Sequence, residues 1–139
     1  MMRVFWDSNL FIYLFEDYGE LTVLVRGLWQ RMLQRGDALV TSSMSLGEVL
    51  AGIPADHREA WDLWRTSLPE IADVYPFGDQ AALRYAVIRR DRTIRQPDAI
   101  QLACAAEAGA TLFVTNDERL SRKVVPGVPV LTSLRAVPI

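Results

Sequence analysis

The chain of 139 residues has few of the side chains that several classes of enzyme and secreted protein require. Its one cysteine, Cys104, excludes an internal disulfide and fits a reducing cytoplasm; its apolar helical surroundings predict a buried thiol. The one histidine, His57, lies in a polar stretch and excludes a catalytic pair of histidines. Neither a GxxxxGK[ST] nor a GxGxxG pattern occurs, so nucleotide-fuelled and dinucleotide chemistry are not expected.

Long apolar runs are also absent. No uninterrupted apolar stretch reaches the roughly 18 residues that a membrane-spanning helix needs, and the N-terminus lacks the basic and long apolar regions of a signal peptide. We therefore expect a cytoplasmic protein without a membrane segment. Half of the residues are hydrophobic, which is enough to build a core, and no linker interrupts the chain, so we predict a single domain spanning residues 1–139.

Positive charge is unevenly distributed, although the net charge is only −2. Five arginines lie within residues 84–95, and a second basic group begins at Arg119. Arginine recognises phosphate through a planar fork of donors. Arg89, Arg90 and Arg119 are therefore candidates for contacting a nucleic-acid backbone. The alternative is an ordinary solvated surface, which the charge pattern alone does not exclude.

Short apolar runs alternate with helical patterns along the chain. The predicted strands are residues 3–6, 38–41, 71–75, 112–115 and 128–131. The predicted helices begin after Ser8-Asn9, at Leu21, at Ser43 or Ser45, at Pro54, at Asp79 and at Gln96. This alternation predicts an α/β protein with a parallel sheet covered by helices on both faces.

Four carboxylates stand at the ends of predicted strands or the beginnings of predicted helices. Asp7 and Asp117 each directly follow a strand, whereas Glu48 and Asp98 fall early in a helix. Carboxylates in such places can converge at one edge of a parallel sheet, where they would suit a hard cation such as Mg²⁺ or Mn²⁺. For Glu48, a capping box with Ser45 is an alternative. Spacing alone does not establish that the two strands are neighbours.

The four acids lie in the segments Asp7-Ser8-Asn9, Ser45-Leu46-Gly47-Glu48-Val49, Pro97-Asp98-Ala99-Ile100 and Thr115-Asn116-Asp117. In their order and separations, these segments resemble the PIN-domain family, and within it the short VapC-like toxins of toxin–antitoxin pairs. The resemblance implies an α/β/α sandwich with a five-stranded parallel sheet in the order 3-2-1-4-5. It also implies a Mg²⁺- or Mn²⁺-dependent endoribonuclease that forms homodimers and is inhibited by a small antitoxin protein.

The resemblance also assigns roles to residues. The implied catalytic acids are Asp7, Glu48, Asp98 and Asp117. The implied metal ligands among them are Asp7, Asp98 and Asp117, with Glu48 acting either through a water molecule or by holding another ligand in place. Ser8 and Thr115 match hydroxyl positions that hold the acids or a phosphate in place. Gln101 departs from the pattern, because it is polar in a usually apolar segment.

Metal-assisted hydrolysis does not use the ribose 2′-hydroxyl, so we expect products with 5′-phosphate and 3′-hydroxyl ends. Two other functions stay open at this point. One is a housekeeping RNA-processing nuclease without an antitoxin. The other is a non-catalytic α/β module such as a phosphorylatable receiver, although the adjacent acids and the lysine of that class are missing. An antitoxin helix could dock on apolar surface near Trp61 and Trp64, but both tryptophans could instead belong to the core.

Overall fold

Five short strands form the centre of the protein in the computed structural model, which describes residues 1–139. The strands are β1 (Arg3–Trp6), β2 (Ala38–Ser42), β3 (Asp73–Tyr75), β4 (Leu112–Thr115) and β5 (Val130–Ser133). The helices are α1 (Ser8–Phe15), α2 (Glu20–Arg35), α3 (Ser43–Ala51), α4 (Arg58–Ile71), α5 (Asp79–Ile88), α6 (Gln96–Glu107) and α7 (Glu118–Ser121), followed by a 3₁₀ turn (Leu134–Ala136). None of the helices combines the length and the hydrophobicity that crossing a lipid bilayer requires.

The strands are all parallel and lie in the order β3-β2-β1-β4-β5, as expected. The central strand β1 pairs with both β2 and β4, so that Phe5 lies beside Val40 on one side and Phe113 on the other. The order of the strands reverses direction at β1, which makes β1 and β4 the switch point of the sheet. The carboxyl ends of these two strands therefore meet, and ligands bind at such a crevice in open α/β sheets.

Each face of the sheet is covered by its own apolar cluster of 17 buried residues. Successive side chains of a strand point to opposite faces; accordingly Trp6 packs with helices α1 to α4, whereas Phe5 packs with α5 to α7. Phe5 and Phe113 stack with ring centroids 5.1 Å apart. Cys104 is fully buried in the second cluster, which confirms the prediction of a core thiol.

The largest differences from the sequence prediction lie at the start of α4, at the start of β3 and at the start of β5. Helix α4 begins at Arg58 rather than Pro54. Pro54 starts a turn instead, in which the Pro54 carbonyl accepts the His57 N–H at 2.9 Å. The same helix continues to Ile71, so β3 is reduced to three residues. Strand β5 begins at Val130 rather than Val128. The chain makes a turn at Gly127, which has φ of 84°, and Val128 pairs with Val125 across this turn instead of joining the sheet. His57 is exposed at the start of α4, as its polar neighbours predicted.

Candidate active site

A polar cleft opens at the carboxyl edge of the sheet, above the ends of β1 and β4. It has a volume of about 390 Å³ and none of its lining residues is a large apolar residue. The lining consists of Asp7, Ser8, Asn9, Glu48, Arg95, Pro97, Asp98, Gln101, Asn116 and Asp117. The structure therefore brings all four of the predicted acids into one cleft, although they come from four separate segments of the chain.

Asp7 is fixed by hydrogen bonds on both of its carboxylate oxygens. Its Oδ1 accepts the Ser8 N–H at 2.8 Å, which makes Asp7, and not Ser8 or Asn9, the residue that caps α1. Its Oδ2 accepts the Thr115 hydroxyl at 3.0 Å. Thr115 therefore contacts one of the four acids directly. These contacts orient the Asp7 carboxylate at the junction of β1 and β4.

Burial raises the pKa of Asp7 from 3.8 to about 6, in spite of the hydrogen bonds from Ser8 and Thr115, which lower it. Repulsion by the charges of Asp98 and Glu48 adds smaller increases to the same pKa. Loss of hydration, more than the mutual repulsion of the acids, therefore makes ionised Asp7 unfavourable in the metal-free protein. A cation placed beside this carboxylate would reverse that preference.

Glu48 projects into the cleft from α3 and accepts the Ser8 hydroxyl at 2.8 Å. The capping-box alternative is wrong, because α3 is capped one residue before its start by Ser42, whose side chain accepts the Ser45 N–H at 3.4 Å. Ser45 is consequently inside the helix and fully buried. The direct contact with Ser8 couples Glu48 to the end of β1.

Asp98 and Asp117 share a cationic neighbour that the sequence did not single out. Arg95 lies 3.4 Å from Asp98 and 3.8 Å from Asp117, measured from guanidinium nitrogen to carboxylate oxygen. The Arg95 side chain is 72% exposed, so these contacts are weak and easily exchanged. Asp117 also caps α7, since its Oδ1 accepts the N–H groups of Arg119 and Leu120.

The chemistry of this cleft fits Mg²⁺ or Mn²⁺. No three side chains of His, Cys, Asp or Glu converge closely enough to form a ready-made metal site. The donors that line the cleft are nevertheless carboxylate, amide and hydroxyl oxygens, which hard divalent cations prefer. Arg95 already places one positive group between two of the acids. Because Mg²⁺ keeps several of its water molecules, one or two direct carboxylate ligands are sufficient.

The arginines proposed to contact RNA do not line the acidic cleft. Arg89 follows the end of α5 and is half-buried, and its Nη1 donates to the Ile94 carbonyl at 3.1 Å. Arg90 is exposed in the same turn. Arg119 is exposed and lines a shallow depression next to the cleft; Arg95 lines both the depression and the cleft. Arg90 and Arg119 are therefore free to bind phosphate, whereas Arg89 has at least one structural contact.

Gln101 is the other functional candidate that sequence reasoning left without a role. It was noticed only as a polar exception in an apolar segment, yet it lines the cleft and is 2% exposed. A long polar side chain buried in this way needs partners inside the protein. The presence of a polar residue in an otherwise apolar segment was therefore the feature of the sequence that could have indicated a functional contact.

Comparisons with known proteins agree with this fold. The family model described as PIN domain matches residues 4–125. Ribonuclease VapC23 of Mycobacterium tuberculosis is 27% identical over 121 residues, which cover 85% of this chain and 95% of the relative.

Solved structures share the fold. The crystal structure of VapBC2 from Rickettsia felis bound to a DNA fragment from its promoter has a TM-score of 0.75 at 16% identity, covering 95% of this chain and 98% of that one. DNA-bound VapBC from Salmonella typhimurium has a TM-score of 0.69 at 20% identity, covering 96% and 99%.

Proposed function

Since the chain belongs to the PIN-domain family, we propose that it is a Mg²⁺- or Mn²⁺-dependent endoribonuclease that acts as the toxin of a toxin–antitoxin pair. The observation that carries the proposal is the convergence of Asp7, Glu48, Asp98 and Asp117 in one polar cleft. Neither helix capping nor surface solvation requires acids from four separate segments to meet. A divalent cation that is held by these acids and binds a phosphodiester would explain why they lie together.

The residues of the cleft have different proposed roles. Asp7, Asp98 and Asp117 would hold the ion, and Glu48 would act on it through a water molecule. Thr115 and Ser8 hold Asp7 and Glu48 in place through the hydrogen bonds described above. When bound, the ion supplies an activated water, a polarised phosphate and a stabilised leaving oxygen. The polar lining keeps the cleft hydrated for the attacking water.

The toxin assignment is supported by relatives. Ribonuclease VapC23 is named for its activity, and the similar solved structures are VapBC complexes. The proposed partner is accordingly a small antitoxin protein, and the proposed assembly contains a homodimer of this chain. Trp64 is buried and cannot contact an antitoxin directly. Trp61 is half-buried, lies between two arginines and lines a shallow groove beside Ile53, which leaves it available for docking.

Mapping RNA ends with purified protein tests the proposed activity. With Mn²⁺, we expect discrete internal cuts that carry 5′-phosphate and 3′-hydroxyl ends, and EDTA should abolish them. Products with 2′,3′-cyclic phosphate ends would contradict the mechanism, because they require attack by the ribose 2′-hydroxyl.

Induction of the chain alone should arrest growth, and co-expression of its antitoxin should relieve the arrest. Cuts without growth arrest would instead indicate a housekeeping nuclease.

Exchanging Arg90 and Arg119 for Glu should weaken RNA binding and flatten its dependence on salt. Removing one phosphate contact should reduce the slope of log K against log salt by roughly 0.7 for single-stranded RNA. Fluorescence anisotropy with a labelled RNA at several salt concentrations measures both effects. Arg26→Glu with Arg31→Glu is the matched control, since it reverses the same charge on the opposite face of the sheet. An unchanged slope in the first variant would remove both arginines from the RNA path.

A further inference from the structure

The buried amide of Gln101 lies at the centre of a hydrogen-bond network behind the acidic cleft. Its Nε2 is 2.9 Å from the hydroxyl oxygens of both Ser8 and Ser45, and 3.4 Å from Asp7 Oδ1. Its Oε1 accepts the Ser42 hydroxyl through a short contact. Gln101 lies one helical turn after Asp98 on α6, so this helix presents both residues to the cleft.

The Asp7 carboxylate favours one orientation of the Gln101 amide. An ionised carboxylate can only accept hydrogen bonds, so it attracts the NH₂ of Gln101 and would repel a carbonyl oxygen. In this orientation the Ser42 hydroxyl, which also accepts the Ser45 N–H, donates its proton to Gln101 Oε1. A rotated amide would oppose oxygen to oxygen at Asp7.

The Ser8 hydroxyl links the Gln101 amide to the Glu48 carboxylate. An ionised carboxylate can only accept hydrogen bonds, so the single proton of the Ser8 hydroxyl must point to Glu48 Oε1, 2.8 Å away. The lone pairs of the same oxygen then face the Gln101 NH₂. Donation therefore runs in one direction from Ser42 through Gln101 and Ser8 to Glu48. Each link is buried away from competing water apart from the Glu48 end at the cleft.

We infer that Gln101 is a positioning residue of the acidic site, which orients Glu48 through Ser8 and steadies Asp7 directly. This inference rests on the proposed function, because it assumes that the acids hold a divalent cation. A neutral donor is suited to this position. An arginine or lysine would compete with the cation for the acids, whereas an apolar side chain would remove the donor that faces Ser8 and Asp7. Residues that orient metal ligands typically contribute about 10-fold to 100-fold in metal affinity.

A thermodynamic cycle on Mn²⁺ binding, measured without RNA, tests the inference. Gln101→Met keeps the length of the side chain but removes its donors, and we expect it to raise the Kd for Mn²⁺ by about 10-fold. Ser8→Ala should raise the Kd to a similar extent. Ser8→Ala breaks only the path to Glu48, whereas Gln101→Met breaks this path and the direct contact with Asp7. The double variant should therefore bind about as weakly as Gln101→Met alone, instead of about 100-fold more weakly than wild type. Titration calorimetry or the EPR signal of free Mn²⁺ measures each Kd.

Gln80→Met is the matched control for this cycle, because Gln80 is exposed on α5 and lies outside the cleft. Its Kd should equal that of wild type. Ser42→Gly provides a milder variant in case Gln101→Met does not fold, since it keeps Gln101 but removes the hydroxyl that contacts it, and glycine is well tolerated at the N-cap of α3. We expect it to raise the Kd by about threefold, in keeping with the net contribution of one hydrogen bond.

The outcomes separate this inference from the proposed function. If wild type binds Mn²⁺ and folded Gln101→Met binds it equally well, the positioning role is overturned while the proposed nuclease remains. Multiplicative effects of Gln101→Met and Ser8→Ala would overturn the path through Ser8. A wild-type protein that binds no Mn²⁺ would overturn the proposed function and this inference together.

Discussion

Replacement of Asp98 by Asn is expected to lower the rate of Mn²⁺-dependent RNA cleavage by more than about 100-fold, since even residues that only support metal ligands contribute 10-fold to 100-fold. Asn keeps the size of the side chain but removes the charge that would hold the cation. Its neighbour Arg95 would also lose its shorter ion pair, with Asp98 at 3.4 Å. Initial rates with a labelled RNA at saturating Mn²⁺ measure the effect. In cells, the RNA ends produced by wild type should be absent with this variant.

Asp79→Asn is the matched control for Asp98→Asn. Both aspartates lie in the first turn of a helix, where a negative charge favours the helix by a similar amount, but Asp79 is exposed and lies outside the cleft. Asp79→Asn should therefore cleave at the wild-type rate. Millimolar Mn²⁺ should raise the melting temperature of wild type and of Asp79→Asn, with a smaller increase for Asp98→Asn. Wild-type cleavage by Asp98→Asn would refute a role for this carboxylate in catalysis.

Replacement of Asp7 by Asn is expected to stabilise the metal-free protein at neutral pH while it abolishes cleavage. The folded pKa of Asp7 is about 6, against 3.8 for the free side chain. Folding therefore opposes the ionisation of this group, by up to about 3 kcal/mol above pH 6, at 1.36 kcal/mol for each pKa unit. An Asn oxygen can still accept the Ser8 N–H, so the cap of α1 is retained.

The stabilisation by Asp7→Asn should depend on pH in a defined direction. Between about pH 4 and pH 6 the folded protein binds more protons at Asp7 than the unfolded chain, so the contribution of this group to stability falls as the pH rises. The advantage of Asp7→Asn should accordingly be largest above pH 6 and small near pH 4. Urea unfolding in EDTA at both pH values measures it. An advantage that does not change with pH would contradict the raised pKa.

Asp37→Asn is an informative control because the opposite result is expected. Burial alone would raise the pKa of Asp37, but hydrogen bonds from the Met2 N–H and Arg35, together with the charge of Arg35, lower it overall. Its ionised form therefore stabilises the fold above the ordinary pKa of an aspartate, and this contribution is lost as the pH falls through the folded pKa. Asp37→Asn should destabilise the metal-free protein at neutral pH, where Asp7→Asn stabilises it.

Most of the fold could be predicted, because hydrophobic periodicity and turn residues report local structure directly. The strand at Arg3–Trp6 and the helix from Gln96 to Glu107 have the expected bounds. The predictions were wrong where tertiary packing competed with a local signal. Pro54 is a favourable first residue for a helix, yet it forms a turn. Ile71, which was predicted to begin a strand, completes a helix instead.

The acids of the site could be identified from their positions in the sequence, but the contacts that control them could not. A carboxylate at the end of a strand is a local feature, and Asp7 and Asp117 are of this kind. Gln101 contacts Ser8, and Arg95 reaches Asp117 as well as its near neighbour Asp98. Ser8 and Asp117 are distant from these residues in the chain, and no local pattern encodes those contacts. Glu48 shows the same limit, because its spacing from Ser45 suggested a capping box that the structure does not contain.

The sequence by itself determined the identities of the acids, the alternation of strands and helices, and the resemblance to PIN domains. The adjacency of β1 and β4, which brings Asp7 near Asp117, agrees with that resemblance and is observed only in the folded sheet. The tertiary structure alone decided which polar groups are buried together. Burial sets the pKa of Asp7 and turns Gln101 into a donor for the site, because hydration and hydrogen-bond partners depend on packing around a residue and not on its position in the chain.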